Sequence, residues 1–182
     1  MLDQLVQAIE SAVPPNRMTT KIVAIDGGGG AGKSTLAAAL TAQLSSSAVI
    51  HVDDFIPGPS NDPSWWLRLR DQVFIPLSLN QPARYQCFDW NTRKLAQWHA
   101  IATGGIVIIE GFSALRPEFR PMLAYGIWVE APAALRLGRG LARGNEDLVQ
   151  WQKWQISDRA YFDAVRPDKA ADVIIDGTKV YE

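Results

Sequence analysis

The chain predicts an α/β fold in which a parallel sheet is covered by helices on both faces. Three observations carry that expectation. Five short runs rich in valine and isoleucine recur along the sequence, none with the polar alternation of a strand wetted on one side. Helix-forming segments separate them, and a strand-then-helix order places successive strands parallel. A loop with four consecutive glycines joins the first run to an alanine-rich segment, AIDGGGGAGKSTLAAAL. Each glycine there costs folding entropy, so the loop must hold something.

Bulk properties narrow the class. The 182 residues predict a single domain spanning 1–182, with enough material for a buried core. Apolar residues make up 47% and charged residues 20%, and the formal net charge is -1. That balance argues against a broad nucleic-acid surface or a polybasic membrane anchor, so affinity for phosphate has to be local. The lone cysteine, Cys87, has no partner for an internal disulfide, which predicts a reducing compartment, the cytoplasm. His51 and His99 stand apart from each other, and no Cys/His cluster has zinc spacing. The sequence is silent on oligomeric state.

Taken in order, residues 1–17 (MLDQLVQAIESAVPPNR) predict an amphipathic helix. Leu2, Leu5, Val6 and Ile9 share one face, Asp3 and Glu10 interrupt any signal-like apolar core, and Pro14 and Pro15 end the helix. The five strands are KIVAID (21–26), AVIHVD (48–53), GIVIIEG (105–111), YGIWVEA (125–131) and ADVIID (171–176). Two intervals are too long for simple crossovers. Residues 54–104 contain IPGPSNDPSWWLRLR, a helix over 65–74, and RYQCFDWNTRKLAQWHA; residues 132–170 read as mainly helical. Both leave from carboxyl ends of strands, where open parallel sheets bind ligands, so they are the expected acceptor-binding insertion and lid.

The loop Gly27 to Ser34 satisfies GxxxxGK(S/T) between a strand and a helix, the context that gives the motif its meaning. Glycines let successive N–H groups turn inward to phosphate oxygens, and the helix that follows adds its positive end. Gly28, Gly29, Gly30, Ala31, Gly32, Lys33, Ser34 and Thr35 are the expected ATP-binding residues. Lys33 supplies a mobile charge for the β and γ phosphates, and the Ser34 hydroxyl is placed to ligate Mg²⁺. Nucleoside triphosphate binding follows from this; its use does not, because kinases, motors and switches share the loop.

HVDDF ends the second strand at the same sheet edge. Asp53 there can accept the proton of an attacking hydroxyl, or share Mg²⁺, with Asp54 beside the acceptor; the alternative is a pair of acidic residues capping the strand. Glu110, closing IIEG, reaches the Mg²⁺ shell or forms a salt bridge, and both readings stay open. Arg136, Arg139 and Arg143 fall on one helical face among Gly138, Gly140 and Gly144. Carried on a mobile cover, these arginines can neutralise the transferring phosphoryl group, against the alternative of a solvated basic face.

In order, GGGGAGKST, DDF, RYQCFDW, IIEGFSALRP, RLGRGLAR and ADVIIDG resemble the uridine kinase-like P-loop nucleoside kinases over residues 21–177. The resemblance implies a three-layer P-loop NTPase fold with a five-stranded parallel sheet of the nucleoside and nucleotide kinase type, ATP as donor, Mg²⁺, and a nucleoside-like acceptor. It implies Asp53 as general base, Asp89 as the residue holding the acceptor's sugar hydroxyls, and Arg139 and Arg143 as the catalytic lid arginines. Ile56 stands where uridine kinases place an aromatic, and no histidine follows FDW at the family's spacing, which leaves the base of the acceptor open.

The acceptor interval is rich in aromatics. Phe55, Tyr85, Phe88 and Trp90, with Arg84, Asp89 and Arg93 on polar edges, are the expected acceptor-binding set; Trp65, Trp66 and Trp98 read more as packing residues. The expectation is thus an ATP-dependent kinase acting on a small-molecule hydroxyl, with nucleoside as first choice and no nucleic-acid or membrane partner. A nucleoside monophosphate kinase, another small-metabolite kinase, and an ATP-binding regulatory switch are the alternatives. The monophosphate reading would draw on Arg68, Arg70, Arg84 and Arg93.

Overall fold

The structure is a computed structural model that describes residues 1–56, 65–144 and 147–179. The proline-rich stretch 57–64 of the expected acceptor insertion, and residues 145–146 of the expected lid, lie outside the described residues.

All five expected strands form: β1 (Lys21–Asp26), β2 (Ser47–His51), β5 (Ile106–Glu110), β6 (Tyr125–Glu130) and β7 (Val173–Asp176). They build one parallel sheet in the order β2-β5-β1-β6-β7. Their lack of alternation has the expected cause, burial on both faces. Ile22, Ala24, Val107, Ile109 and Trp128 join one core. Their neighbours Val23, Ile25, Ile106, Ile108, Ile127 and Val129 join the other. Fully burying one such side chain contributes about 1.5–3 kcal/mol, so the two cores hold the sheet edge that carries the chemistry.

The second core is roofed by α1 (Leu2–Ser11) and α2 (Lys33–Gln43). Leu2, Leu5 and Ile9 of α1 are buried, as the sequence pattern expects, while Val6 is half-buried. The helix stops at Ser11, and Pro15 opens a short 3₁₀ turn, Pro15–Arg17, that leads into β1.

The first core lies under the acceptor insertion. The expected helix over 65–74 runs further, as α3 (Trp65–Leu69), one π turn (Arg70–Phe74) and α4 (Ile75–Ser78). The π turn falls where Pro76, which has no N–H to give the Gln72 carbonyl, interrupts the α ladder. Leu69, Val73, Phe74 and Leu77 are fully buried, and Phe74 stacks on Phe119 with ring centroids 4.2 Å apart. The rest of the insertion is an antiparallel hairpin, β3 (Ala83–Asp89) and β4 (Lys94–Ile101), which the sequence reading left undivided. Ala83, Tyr85 and Cys87 face the core, and the register shifts between Gln86 and Phe88. Arg68 fixes the hairpin to the sheet edge: its guanidinium donates to the Phe55 carbonyl at 3.1 Å and to the Gln86 carbonyl at 2.6 Å.

The expected lid comprises α5 (Ala133–Ala142), α6 (Leu148–Val165) and α7 (Pro167–Ala170). Among the described residues no helix is long and apolar enough to cross a membrane.

Candidate active site

The carboxyl ends of β1, β2 and β5 bring Asp26, His51 and Glu110 side by side, since Glu110 is in register with both Ile25 and His51. The phosphate loop leaves from Asp26. Gly30 (φ +77) and Gly32 (φ +107) lie in the left-handed region that favours glycine, and a Cβ on Gly30 would stand 2.4 Å from the Arg136 carbonyl oxygen. Gly32 caps α2 without any side-chain hydrogen bond, so the first-turn N–H groups of this eleven-residue helix are left to a ligand. Lys33 folds back over the loop, its Nζ donating to the Gly28 carbonyl at 3.1 Å. Gly28 to Thr35 thus form one loop and the first turn of α2.

Asp26 was not singled out in the sequence, and it organises the base of the loop. It is fully buried. Its Oδ1 accepts from the N–H of Gly27 at 2.7 Å and of Ser113 at 3.0 Å. Its Oδ2 accepts from the Leu115 N–H at 3.0 Å and the Tyr161 hydroxyl at 2.9 Å. Burial pushes its pKa up to about 6, outweighing these donors and the Lys33 charge. Asp26 thus binds its proton more tightly folded than unfolded, and its own contribution to stability falls as pH rises from about 4 to about 6. A carbon-13 titration of the Asp26 carboxyl is expected to show a midpoint near 6; one near 4 would mean that the donors outweigh burial.

Glu110 is 5% exposed, and its Oε1 accepts from the Ser34 hydroxyl at 3.0 Å and pairs with His51 Nδ1 at 2.6 Å. Burial alone would raise its pKa; the His51 hydrogen bond, the Lys33 charge and the Ser34 hydroxyl outweigh burial and hold it below the ordinary carboxylate value. The same hydrogen bond to Glu110 raises the pKa of His51. Of the two alternatives for Glu110, the pairing is present, with His51, and the same carboxylate oxygen also faces the Ser34 hydroxyl. An ionised carboxylate beside a hydroxyl at a helix N-terminus is a hard oxygen set suited to Mg²⁺, which is usually bound by one or two carboxylates plus phosphate oxygens. Among the described residues there is no group of three or more His, Cys, Asp or Glu able to hold a metal alone.

Asp53 and Asp54 follow β2 in a 3₁₀ turn, Val52–Asp54, rather than ending the strand itself. The Asp53 side chain is solvent-accessible but sits amid protein, which raises its pKa; Lys33 pulls it down and Glu110 pushes it up. The lysine of the loop and the acidic turn therefore share one electrostatic neighbourhood. The hairpin closes over this turn: Trp90 Nε1 donates to the Asp53 carbonyl at 3.2 Å, and the Tyr85 hydroxyl donates to Asp54 Oδ2 at 3.4 Å. Tyr85 stacks between Phe55 and His99, with centroids 5.1 and 5.2 Å away.

The remaining expected residues divide. Phe88 and Trp90 meet edge to face at 5.8 Å, with Trp90 40% exposed beside Asp53. Phe55 is fully buried in the core against Tyr85, not presented to an acceptor as expected. The Asp89 carboxylate caps the hairpin turn, accepting from the N–H groups of Asn91 at 2.8 Å and Thr92 at 3.2 Å. Arg84 lies over the Trp98 ring at 5.0 Å, and Arg93 is exposed at the hairpin tip with φ 53. Arg139 Nη1 donates to the Gly177 carbonyl at 2.8 Å and lies 3.4 Å from that of Gly30, so its charge braces the back of the loop. Arg143 is exposed at the end of α5. Arg136 of the same face also reaches the loop, its Nη1 3.5 Å from the Gly29 carbonyl, and pairs with Asp158 at 3.2 Å.

No protein-family model and no curated protein matches the sequence. Solved structures do. A candidate fructose transport system kinase from a Silicibacter species aligns over 96% of this chain and 98% of its own, with 22% identity and a TM-score of 0.73. A candidate uridine kinase from Bacillus stearothermophilus aligns over 96% and 97%, with 21% identity and a TM-score of 0.70. Shikimate kinase from Acinetobacter baumannii aligns over 94% and 87%, with 18% identity and a TM-score of 0.51. The likeness establishes the fold: that of the P-loop kinases, as the sequence motifs imply.

Proposed function

We propose that the chain is an ATP-dependent kinase that transfers the γ-phosphoryl group to a hydroxyl of a small molecule, with a nucleoside as the acceptor. The observation that carries this reading is the convergence of Lys33, the Ser34–Glu110 pair and Asp53 on one end of the sheet. The loop amides and the open end of α2 bind the donor's phosphates, and Lys33 swings from the Gly28 carbonyl to the β and γ oxygens. Mg²⁺ carried with the donor would be held by Ser34 and Glu110, with Asp53 nearby, and would neutralise charge between the phosphates. Asp53 accepts the acceptor's proton and aims its oxygen at the γ phosphorus. Positioning and electrostatics then supply most of the rate, because phosphoryl transfer asks for little covalent help.

The names carried by the structural neighbours, a candidate uridine kinase and a candidate fructose transport system kinase, both describe kinases and support this class. The exposed indole of Trp90 beside Asp53 offers a stacking face for a planar base. A monophosphate acceptor fits less well, because three of the four arginines it would draw on are committed, while Arg93 stands exposed at the hairpin tip. Arg68 clamps two backbone carbonyls, Arg70 pairs with Asp71 at 2.7 Å, and Arg84 covers Trp98. Lone cysteine Cys87 is buried and free, in keeping with a cytoplasmic site of action.

The test is ADP release in the presence of Mg·ATP over a panel of nucleosides, nucleoside monophosphates and free sugars, with the product's mass determined. The expected result is release that depends on a nucleoside and a product heavier by one phosphoryl group. Release stimulated by a sugar alone would move the acceptor class and keep the chemistry. Slow release indifferent to every acceptor would instead indicate a nucleotide-dependent switch.

A further inference from the structure

The phosphate loop of this chain already holds an anion, and the anion is its own. Asp158, in the middle of α6, is 7% exposed, and its Oδ2 accepts from the Gly29 N–H at 3.1 Å and from Arg136 Nη1 at 3.2 Å. The Lys33 charge acts on the same carboxylate. A loop amide, an arginine and the loop lysine are the groups that a phosphate would be offered here. Around them the cover is tight. The Trp151 ring lies so close to Gly29 that a Cβ there would come within 2.9 Å of it, and the Arg136 guanidinium occupies the space where a Cβ on Gly28 would stand. Trp151 also packs on Gly140 of α5, so α5, α6 and the loop form one contact.

We propose that Asp158 is a built-in occupant of the phosphate cradle, which the donor's phosphate displaces, and that the displaced pair hands Arg136 to that phosphate. This rests on the reading of the loop as the donor's site. Asp158 is then a positioning residue that acts through Arg136, and Arg136 is the phosphate-contacting arginine of the cover. Burial disfavours the charge on the Asp158 carboxylate and raises its pKa despite its donors, so a more highly charged oxyanion competes with it for the same amide and arginine. A purely bracing Asp158 would behave in the opposite way: it would hold the loop in binding shape, and its loss would weaken the ligand.

The experiment compares equilibrium binding of ATP, tripolyphosphate and adenosine to the wild-type protein, Asp158→Asn, Arg136→Met and the double variant. Expected is a tightening of at least about tenfold for ATP and for tripolyphosphate in Asp158→Asn, with adenosine unchanged. Arg136→Met is expected to weaken both phosphate ligands and to cancel the gain in the double variant. A second measurement uses the wild-type protein alone: hydrogen exchange in α6 around Trp151 to Asp158 is expected to quicken when tripolyphosphate binds, as the carboxylate leaves. Wild-type binding of ATP with unchanged or weaker binding by Asp158→Asn, or slowed exchange in α6, overturns the proposal and leaves the kinase reading standing. Failure of wild type and Asp158→Asn alike to bind ATP and tripolyphosphate removes the donor reading, and this inference with it.

Discussion

Asp53→Asn is expected to lower acceptor-dependent turnover by about 10²–10⁴-fold while the affinity for Mg·ATP stays within a few-fold. The size follows from the work assigned to the carboxylate. It takes the hydroxyl proton as the oxygen approaches phosphorus, and asparagine keeps the shape but accepts a proton far less readily. The local frame should survive the change, because the turn is held through main-chain atoms: Trp90 Nε1 donates to the Asp53 carbonyl, and Phe55 N–H bonds the Val52 carbonyl at 3.0 Å. No hydrogen bond of the fold depends on the Asp53 side chain among the described residues. Parallel measurement of turnover and of ATP binding separates the two effects. A fall in both together would mean that Asp53 serves the donor or its Mg²⁺; turnover within a few-fold of wild type would remove it as the base.

Lys33→Ala is expected to abolish measurable transfer, by about 10³-fold or more, and to weaken ATP binding at least tenfold. Two losses coincide. The β and γ phosphates lose a cation that moves with them, and the site loses the charge that acts on Asp26, Asp53, Glu110 and Asp158. Without it, these carboxylates hold their protons to higher pH, and those that stay ionised repel the donor. Lys33→Arg keeps the charge but not its compact shape, and is expected to recover binding more than turnover. Steady-state ADP release and calorimetric titration with ATP distinguish these outcomes. Lys33→Ala with near-normal turnover would mean that the phosphates bind elsewhere.

The fold was legible where burial writes a simple pattern. The five strands are uninterrupted apolar runs because both faces of the sheet are covered, and the loop is legible because its amides need glycine where other kinds of turn do not. The hairpin is harder to read. β3 does alternate, with Ala83, Tyr85 and Cys87 facing the core between Arg84 and Gln86, but the signal spans only five residues, and its partner β4 exposes Leu95 and Trp98 outright and shows no such period. In the site, Lys33, Ser34 and Glu110 are fixed by their places at the start of a helix and the end of a strand, and Asp53 by the turn just beyond one, all of which the sequence shows to within a residue or two. Asp26 had the same signal, as the last residue of β1, and could have been found by it. His51 looked isolated because its partner, Glu110, is 59 residues away and adjacent only across the sheet. Asp158 carried no signal: it is one of two acids on α6, and its meeting with Gly29, 129 residues away, depends on how the helix docks. The roles of Arg136, Arg139 and Arg143 likewise depend on helix rotation, since spacing placed all three on one face but could not say that Arg136 and Arg139 reach the loop while Arg143 stays exposed.

The account turns on a donor's terminal phosphate and an acceptor's hydroxyl meeting between Lys33 and Asp53. A crystal structure with Mg²⁺, a non-hydrolysable ATP analogue and the acceptor identified by the panel tests this most directly. It should place the terminal phosphorus next to Lys33 Nζ, with the acceptor oxygen bonded to the Asp53 carboxylate and in line with the bond that breaks. A triphosphate seated away from Lys33, or an acceptor whose hydroxyl points away from Asp53 with side chains packed between, would contradict it.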